Sequence, residues 1–269
     1  MITNITNTHW LFGARLCLVA FVLASANVSV VAQGRGGGRA EPPKSPKEAA
    51  PADLTGYWAS VVTEDWRYRM LPPLKFVEKN TLGSQEGIPM NAAARKIALA
   101  WDPATDEAAA EQCKAYGAPN IMRMPGRIRI AWQDDRTLKL ETDAGTQSRL
   151  FAFDPSKNTG NTGGDWQGVS EASWEASPGG RGGPRLTGSL KVLTTKLRPG
   201  YLRRNGVPYS ANATITEYYD RVDENGTSYL VITTTVEDPA YLTEPYLTTT
   251  HFKKQADASG WHPSPCSSR

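Results

Sequence analysis

The stretch Ala213–Val236, ATITEYYDRVDENGTSYLVITTTV, decides how the rest of the chain is read. Two runs rich in Thr, Ile, Val and Tyr flank Asp223-Glu224-Asn225-Gly226. β-Branched and aromatic side chains suit a pleated, half-buried surface. Asn-Gly is a preferred pair for a tight hairpin turn, because both residues tolerate positive φ. The stretch predicts a hairpin of strands 213–222 and 228–236. Alternation places Ile215, Glu217 and Tyr219 on one face, and Thr214, Thr216, Tyr218 and Asp220 on the other. If the Ile215 face is buried, the Glu217 carboxylate needs a partner.

Working outward, the same signals recur. Arg127–Gln133, Thr137–Glu141 and Thr146–Phe153 are separated by Asp134-Asp135-Arg136 and Asp143-Ala144-Gly145, which reads as a three-strand meander. Val169–Glu175, Leu186–Leu197 and Leu247–Lys253 add further strands. Upstream, a strand-rich run from Leu54 to Met70 ends at Pro72-Pro73, which cannot donate to a sheet ladder. Asn91–Trp101 is the best helix, with Asn91 as its N-cap and Asp102-Pro103 as its stop. Thr105 offers a cap for a second, short helix ending near Cys113. Roughly nine or ten strands without a βαβ rhythm predict a mainly β fold, an antiparallel β-barrel with one or two short helices. Gly56-Tyr57-Trp58 resembles the Gly-x-Trp opening of lipocalin-like barrels, which implies a Trp58 that plugs the closed end.

The N-terminus reads as an address. Met1–Gly13 has no acidic residue, Arg15 precedes an apolar run, and Leu16–Ala26 is LCLVAFVLASA. That run has the length of a signal-peptide core and is too short for a membrane span. Small-residue cleavage patterns end at Ala26 and Ala32, and cleavage is expected after Ala32. The expected organisation is a signal peptide at 1–32, a flexible Gly-, Arg- and Pro-rich linker at 33–52, and one β-rich domain at 53–269. The expected location is periplasmic or secreted. Cys17 falls within the signal, which leaves Cys113 and Cys266. In an oxidising compartment these two are expected to form a disulfide, contributing roughly 2–4 kcal/mol by closing a long loop.

Charge and motifs narrow the function classes. With 30 Lys and Arg against 27 Asp and Glu, and no basic stripe, a nucleic-acid partner is not expected. No later run is apolar enough for a transmembrane segment in the mature chain. There is no His-Glu-x-x-His helix, phosphate loop or Gly-x-Ser-x-Gly elbow. The glycine-rich run Gly179–Gly183 does not open a helix. His251 and His262 lack a metal-ligand pattern, so neither metal nor cofactor is expected. Asn212-Ala-Thr and Asn225-Gly-Thr match glycosylation sequons, which matter only in a glycosylating secretory pathway.

Polar residues set within strands are the candidate site. Arg149 shares a face with Phe151 and Phe153, and it could pair with Glu217 or line a polar pocket with it. Trp174-Glu175 and Glu64-Asp65-Trp66-Arg67 set aromatic rings beside charged groups, a combination suited to gripping a polar organic ligand.

The order of phrases resembles a large group of uncharacterised secreted bacterial β-rich proteins. The resemblance is carried by Arg149, Trp166-x-Gly168-x-Ser170-x-x-x-Trp174-Glu175, Leu190-x-Val192-x-Thr194-Thr195, Thr216-Glu217-x-x-x-Arg221 and Asp238-Pro239-x-x-x-Thr243-x-Pro245. It covers about Ile128 to Lys253. Ser173 and Ala176-Ser177 depart from the group's usual Gly and Gly-Asp, and the Arg198–Pro208 stretch is an insertion. The resemblance implies export and a β-rich fold, and assigns no activity.

The leading expectation is an exported β-barrel that binds a small organic ligand in the cell envelope. Arg149, Trp174, Glu175 and Glu217 would line the pocket, with Trp66 as a wall. A cofactor-independent lyase, isomerase or hydrolase is the second reading. There, Glu217 or Glu175 acts as general base and Arg149 stabilises an oxyanion. A structural or adhesive envelope protein is the third.

Overall fold

The computed structural model describes residues 44–65, 87–154, 156, 164–177 and 187–268. The expected signal peptide, Trp66 and the glycine-rich run at 179–183 lie outside the described residues. Nine strands close into a barrel: β1 (Gly56–Ser60), β2 (Arg127–Asp134), β3 (Thr137–Thr142), β4 (Ser148–Ala152), β5 (Val169–Ser177), β6 (Thr187–Thr195), β9 (Thr214–Glu224), β10 (Thr227–Glu237) and β11 (Tyr246–Lys254). β7 (Gly200–Tyr201) and β8 (Pro208–Tyr209) form a separate two-stranded ribbon. Strand β1 closes the ring by pairing with β2 on one side and β11 on the other.

Every barrel pair is antiparallel except one. β4 and β5 run parallel, with Phe151 opposite Ser170 and Ala152 opposite Glu171. The parallel register sets the start of β5 beside the end of β4, an arrangement that a tight hairpin cannot make. This makes the barrel mixed at a single seam. The turn at Asn225-Gly226 has φ of 48° and 75°, both positive as the Asn-Gly pair anticipates.

The first strand is shorter than its sequence suggests. It stops at Ser60 and gives way to a 3₁₀ turn at Val62–Asp65. Among the described residues, three short helices lie outside the sheet: α1 (Ala92–Ala100), α2 (Pro103–Ala108) and α3 (Ala118–Ile121). Asn91 caps α1 by accepting from the Ala94 amide at 3.0 Å. α2 is capped by Asp102 rather than Thr105, with Pro103 in its first turn. The residues that stop α1 therefore also start α2, since proline suits the first helical position and lacks the N–H that α1 would need.

Inside the barrel, alternate residues interlock. Trp58, Leu140, Phe151, Val192, Tyr219, Leu230 and Ile232 are all 0% exposed, so side chains fill the interior at their level. Trp58 donates its indole N–H to the Leu54 carbonyl at 3.0 Å, and the Lys254 ammonium lies 4.4 Å from its ring centroid. A second cluster packs α1, through Ala94 and Ala98, against Tyr209, Ile215, Val236 and Tyr246.

The Cys113–Cys266 disulfide is present, with a Cα separation of 5.1 Å and a sequence separation of 153. It pins the C-terminal tail to the 3₁₀ turn Gln112–Tyr116. Backbone contacts support the same placement: the Ser264 amide donates to Asp143 O at 2.9 Å, and the Ser267 amide to Tyr116 Oη at 3.2 Å. Replacing both cysteines by alanine is expected to lower unfolding free energy by about 2–4 kcal/mol in urea titrations. A loss below about 1 kcal/mol would mean that the backbone contacts alone hold the tail.

Candidate functional site

Sequence alternation places Arg149 and Glu217 on the inward faces of β4 and β9, and inside the barrel they meet. Arg149 Nη1 donates to Glu217 Oε1 at 3.0 Å, and Nη2 to Oε2 at 2.5 Å. The side chains are 1% and 0% exposed, so the two-pronged pair is fully enclosed. Nη1 also donates to Tyr219 Oη at 3.3 Å, and Tyr219 Oη donates to Glu217 Oε1 at 3.2 Å. Nη2 donates to Thr194 Oγ1 at 3.1 Å, and that hydroxyl is 2.8 Å from Ser170 Oγ. The Phe151 ring lies beneath the guanidinium, 5.0 Å from its centroid.

The network has a clear electrostatic logic. Burial pulls the Arg149 guanidinium down, but the Glu217 charge and hydrogen bonds outweigh it and push the group above its ordinary range. Burial first, and the Glu217 charge second, hold the Tyr219 phenol well above its usual value. Arg149 therefore stays cationic and Tyr219 stays protonated. Each Glu217 oxygen accepts a guanidinium hydrogen bond. Only Arg149 Nε, also buried, has no acceptor.

The other candidates separate from this cluster. Trp174 faces inward but lies toward the opposite end of the barrel. Glu175 faces outward, 48% exposed, and pairs with Lys191 at 2.9 Å. The strand period of two explains the split: Ser170, Ala172 and Trp174 point in, and Glu171, Ser173 and Glu175 point out.

Trp174 belongs to an aromatic cluster that local sequence signals do not bring together. Trp132 and Phe153 stack at 5.7 Å, Phe153 lies 5.4 Å from Trp174, and Trp132 lies 6.5 Å from Trp174. All three rings are only partly buried. The signal was present in the alternation Ile128, Ile130, Trp132 along β2. The pairing of Trp132 with Leu138, and of Leu138 with Phe151, carries that face round to β4. Trp174 donates its indole N–H to the Pro46 carbonyl at 2.7 Å.

Compared with protein-family models, curated proteins and solved structures, the chain has no significant match. Among the described residues, no group of three or more His, Cys, Asp or Glu side chains could hold a metal ion, and no helix is long and apolar enough to cross a membrane.

Breaking the pair one member at a time should be costly, because the survivor is left as an uncompensated buried charge or acceptor. Glu217→Gln and Arg149→Met are each expected to cost about 3–5 kcal/mol of unfolding free energy. The double change Arg149→Met/Glu217→Leu should cost well under the sum, giving a coupling of about 2 kcal/mol or more in the double-mutant cycle. Additive losses would show that the two side chains do not act as a unit.

Proposed function

We propose that this protein is an exported β-barrel binding module of the periplasm or the extracellular space. Its small organic ligand is taken at the Trp132–Phe153–Trp174 end. The single observation that carries the reading is the contrast between the two inward-facing clusters. Side chains fill the barrel around Arg149 and Glu217, whereas the three aromatic rings stay partly exposed at the barrel's end. The Met1–Ala32 pattern supports export.

The chemistry of the aromatic end favours a ligand with a flat or ring-shaped apolar face and an oxygen acceptor. The ring faces offer stacking, and the Trp174 N–H offers one directed hydrogen bond, here made to a carbonyl. Arg149 and Glu217 then act as the frame that fixes β4 and β9, rather than as ligand contacts. Use of Glu217 as a general base would first require its carboxylate to give up the guanidinium.

A panel of aromatic and carbohydrate compounds, read by thermal shift and then calorimetry, tests this. A ligand found in that screen should lose about tenfold or more in affinity in Trp132→Ala or Trp174→Ala, or about 1.4 kcal/mol. Both variants should remain folded by near-ultraviolet dichroism. A ligand whose affinity is insensitive to both changes overturns the assignment of the aromatic end.

A further inference from the structure

The aromatic end already has an occupant. Lys44–Asp53, which falls largely within the stretch read as a linker, runs across it. The Pro46 carbonyl accepts from Trp174 Nε1–H at 2.7 Å, and the Lys47 amide donates to the Asp135 carbonyl, in the β2–β3 turn, at 3.2 Å. The Lys47 ammonium lies 3.7 Å from the Asp135 carboxylate, both well exposed. Ala52 packs against the barrel core, and Arg221 Nη1 donates to the Asp53 carbonyl at 3.1 Å.

The segment arrives as a preformed turn. The Ser45 amide donates to Glu48 Oε2 at 2.9 Å, and the Glu48 amide donates back to Ser45 Oγ at 3.3 Å. This is the reciprocal arrangement of a capping box. A preformed turn loses less conformational entropy on docking than a loose chain would.

Three features of the contact point to a class of ligand. The barrel presents aromatic rings, the Trp174 indole N–H, an Arg221 guanidinium N–H and the Asp135 backbone carbonyl. The segment answers with backbone groups and small apolar side chains, and the charged side chains of Lys47 and Asp53 are exposed. The sequence around it, Glu41–Asp53, reads EPPKSPKEAAPAD and is built mainly from proline and alanine. Aromatic surfaces with a tryptophan N–H are a recurring means of holding proline-containing segments, whose restricted backbone costs little to order.

We propose that the Trp132–Phe153–Trp174 end is a peptide-binding site for proline- and alanine-rich segments, held in cis by Lys44–Asp53. This rests on the reading of that end as the binding face, and narrows its ligand to a peptide. A peptide arriving from another molecule must displace the cis segment. Among the described residues, few contacts hold that segment, so exchange does not require the barrel to open.

The test uses the full mature chain with Pro46→Gly and Ala52→Asp, which loosen the segment and leave every strand residue unchanged. Trypsin cleavage after Lys47 should accelerate at least tenfold, reporting release. A synthetic peptide of residues 41–53 should then bind this variant at least tenfold more tightly than the wild-type chain, whose site is filled. Trp174→Phe in the same background should weaken that binding at least threefold. Unchanged cleavage overturns the proposal, because the segment is then a fixed part of the barrel. Faster cleavage without peptide binding also overturns it. Should that released variant still bind a small ring compound in a Trp132-dependent way, the broader reading of the aromatic end stands while the peptide assignment fails.

Discussion

The two-pronged contact between Arg149 and Glu217 is the constraint around which the barrel is arranged. Burying two opposite charges costs several kcal/mol for each ion, and the cost is recovered only if geometry and further hydrogen bonds are good. Here Tyr219 and Thr194 supply those bonds, and Phe151 supplies a ring face. The requirement fixes the rotation of β4 and β9, because a one-residue slip of either strand would turn its charge outward and leave the other unpaired. Those strands are not neighbours: β5 and β6 lie between them in the ring. The pair thus specifies how the sheet curls across its interior, something that adjacent-strand pairing alone does not set.

The two ends of the barrel are finished differently. Beyond the ion pair, Tyr116, Ile121 and Met122 pack onto the core, and the Cys113–Cys266 disulfide holds the C-terminal tail beside Tyr116. Gly145 makes this possible: a Cβ there would fall 2.2 Å from the Tyr116 ring, and its φ of 72° suits glycine. At the other end, among the described residues, a short N-terminal segment lies against the rings of Trp132, Phe153 and Trp174. One end is bonded shut by a covalent link and the other is covered by hydrogen bonds and a weak exposed ion pair.

Much of the fold was legible in the sequence because its signals are local. The β9–β10 hairpin follows from period-two alternation and Asn225-Gly226, and the meander of β2, β3 and β4 from its turn residues. The parallel seam between β4 and β5 was not legible, since a crossover and a long hairpin loop carry the same Pro, Asn and Gly signals. At the site, the shared interior of Arg149 and Glu217 could be anticipated from strand alternation, and so could their pairing as one of two outcomes. Adjacency in sequence groups Glu175 with Trp174, yet adjacent strand residues point to opposite faces. The aromatic cluster is not legible locally, because it unites β2, β5 and the residue that follows β4, whose order around the barrel is a long-range property. The role of Pro46 escaped because a composition that forms no core can still dock on one.

A barrel arranged around this pair must hold Arg149 fixed and away from water. Side-chain nitrogen-15 NMR of the Arg149 guanidinium measures this most directly. A locked, enclosed pair predicts separately resolved Nη protons, with restricted rotation about the Cζ–N bonds and slow exchange with solvent at neutral pH. A single averaged Nη signal in fast exchange would contradict it, and would mean that the centre of the barrel is open and wet.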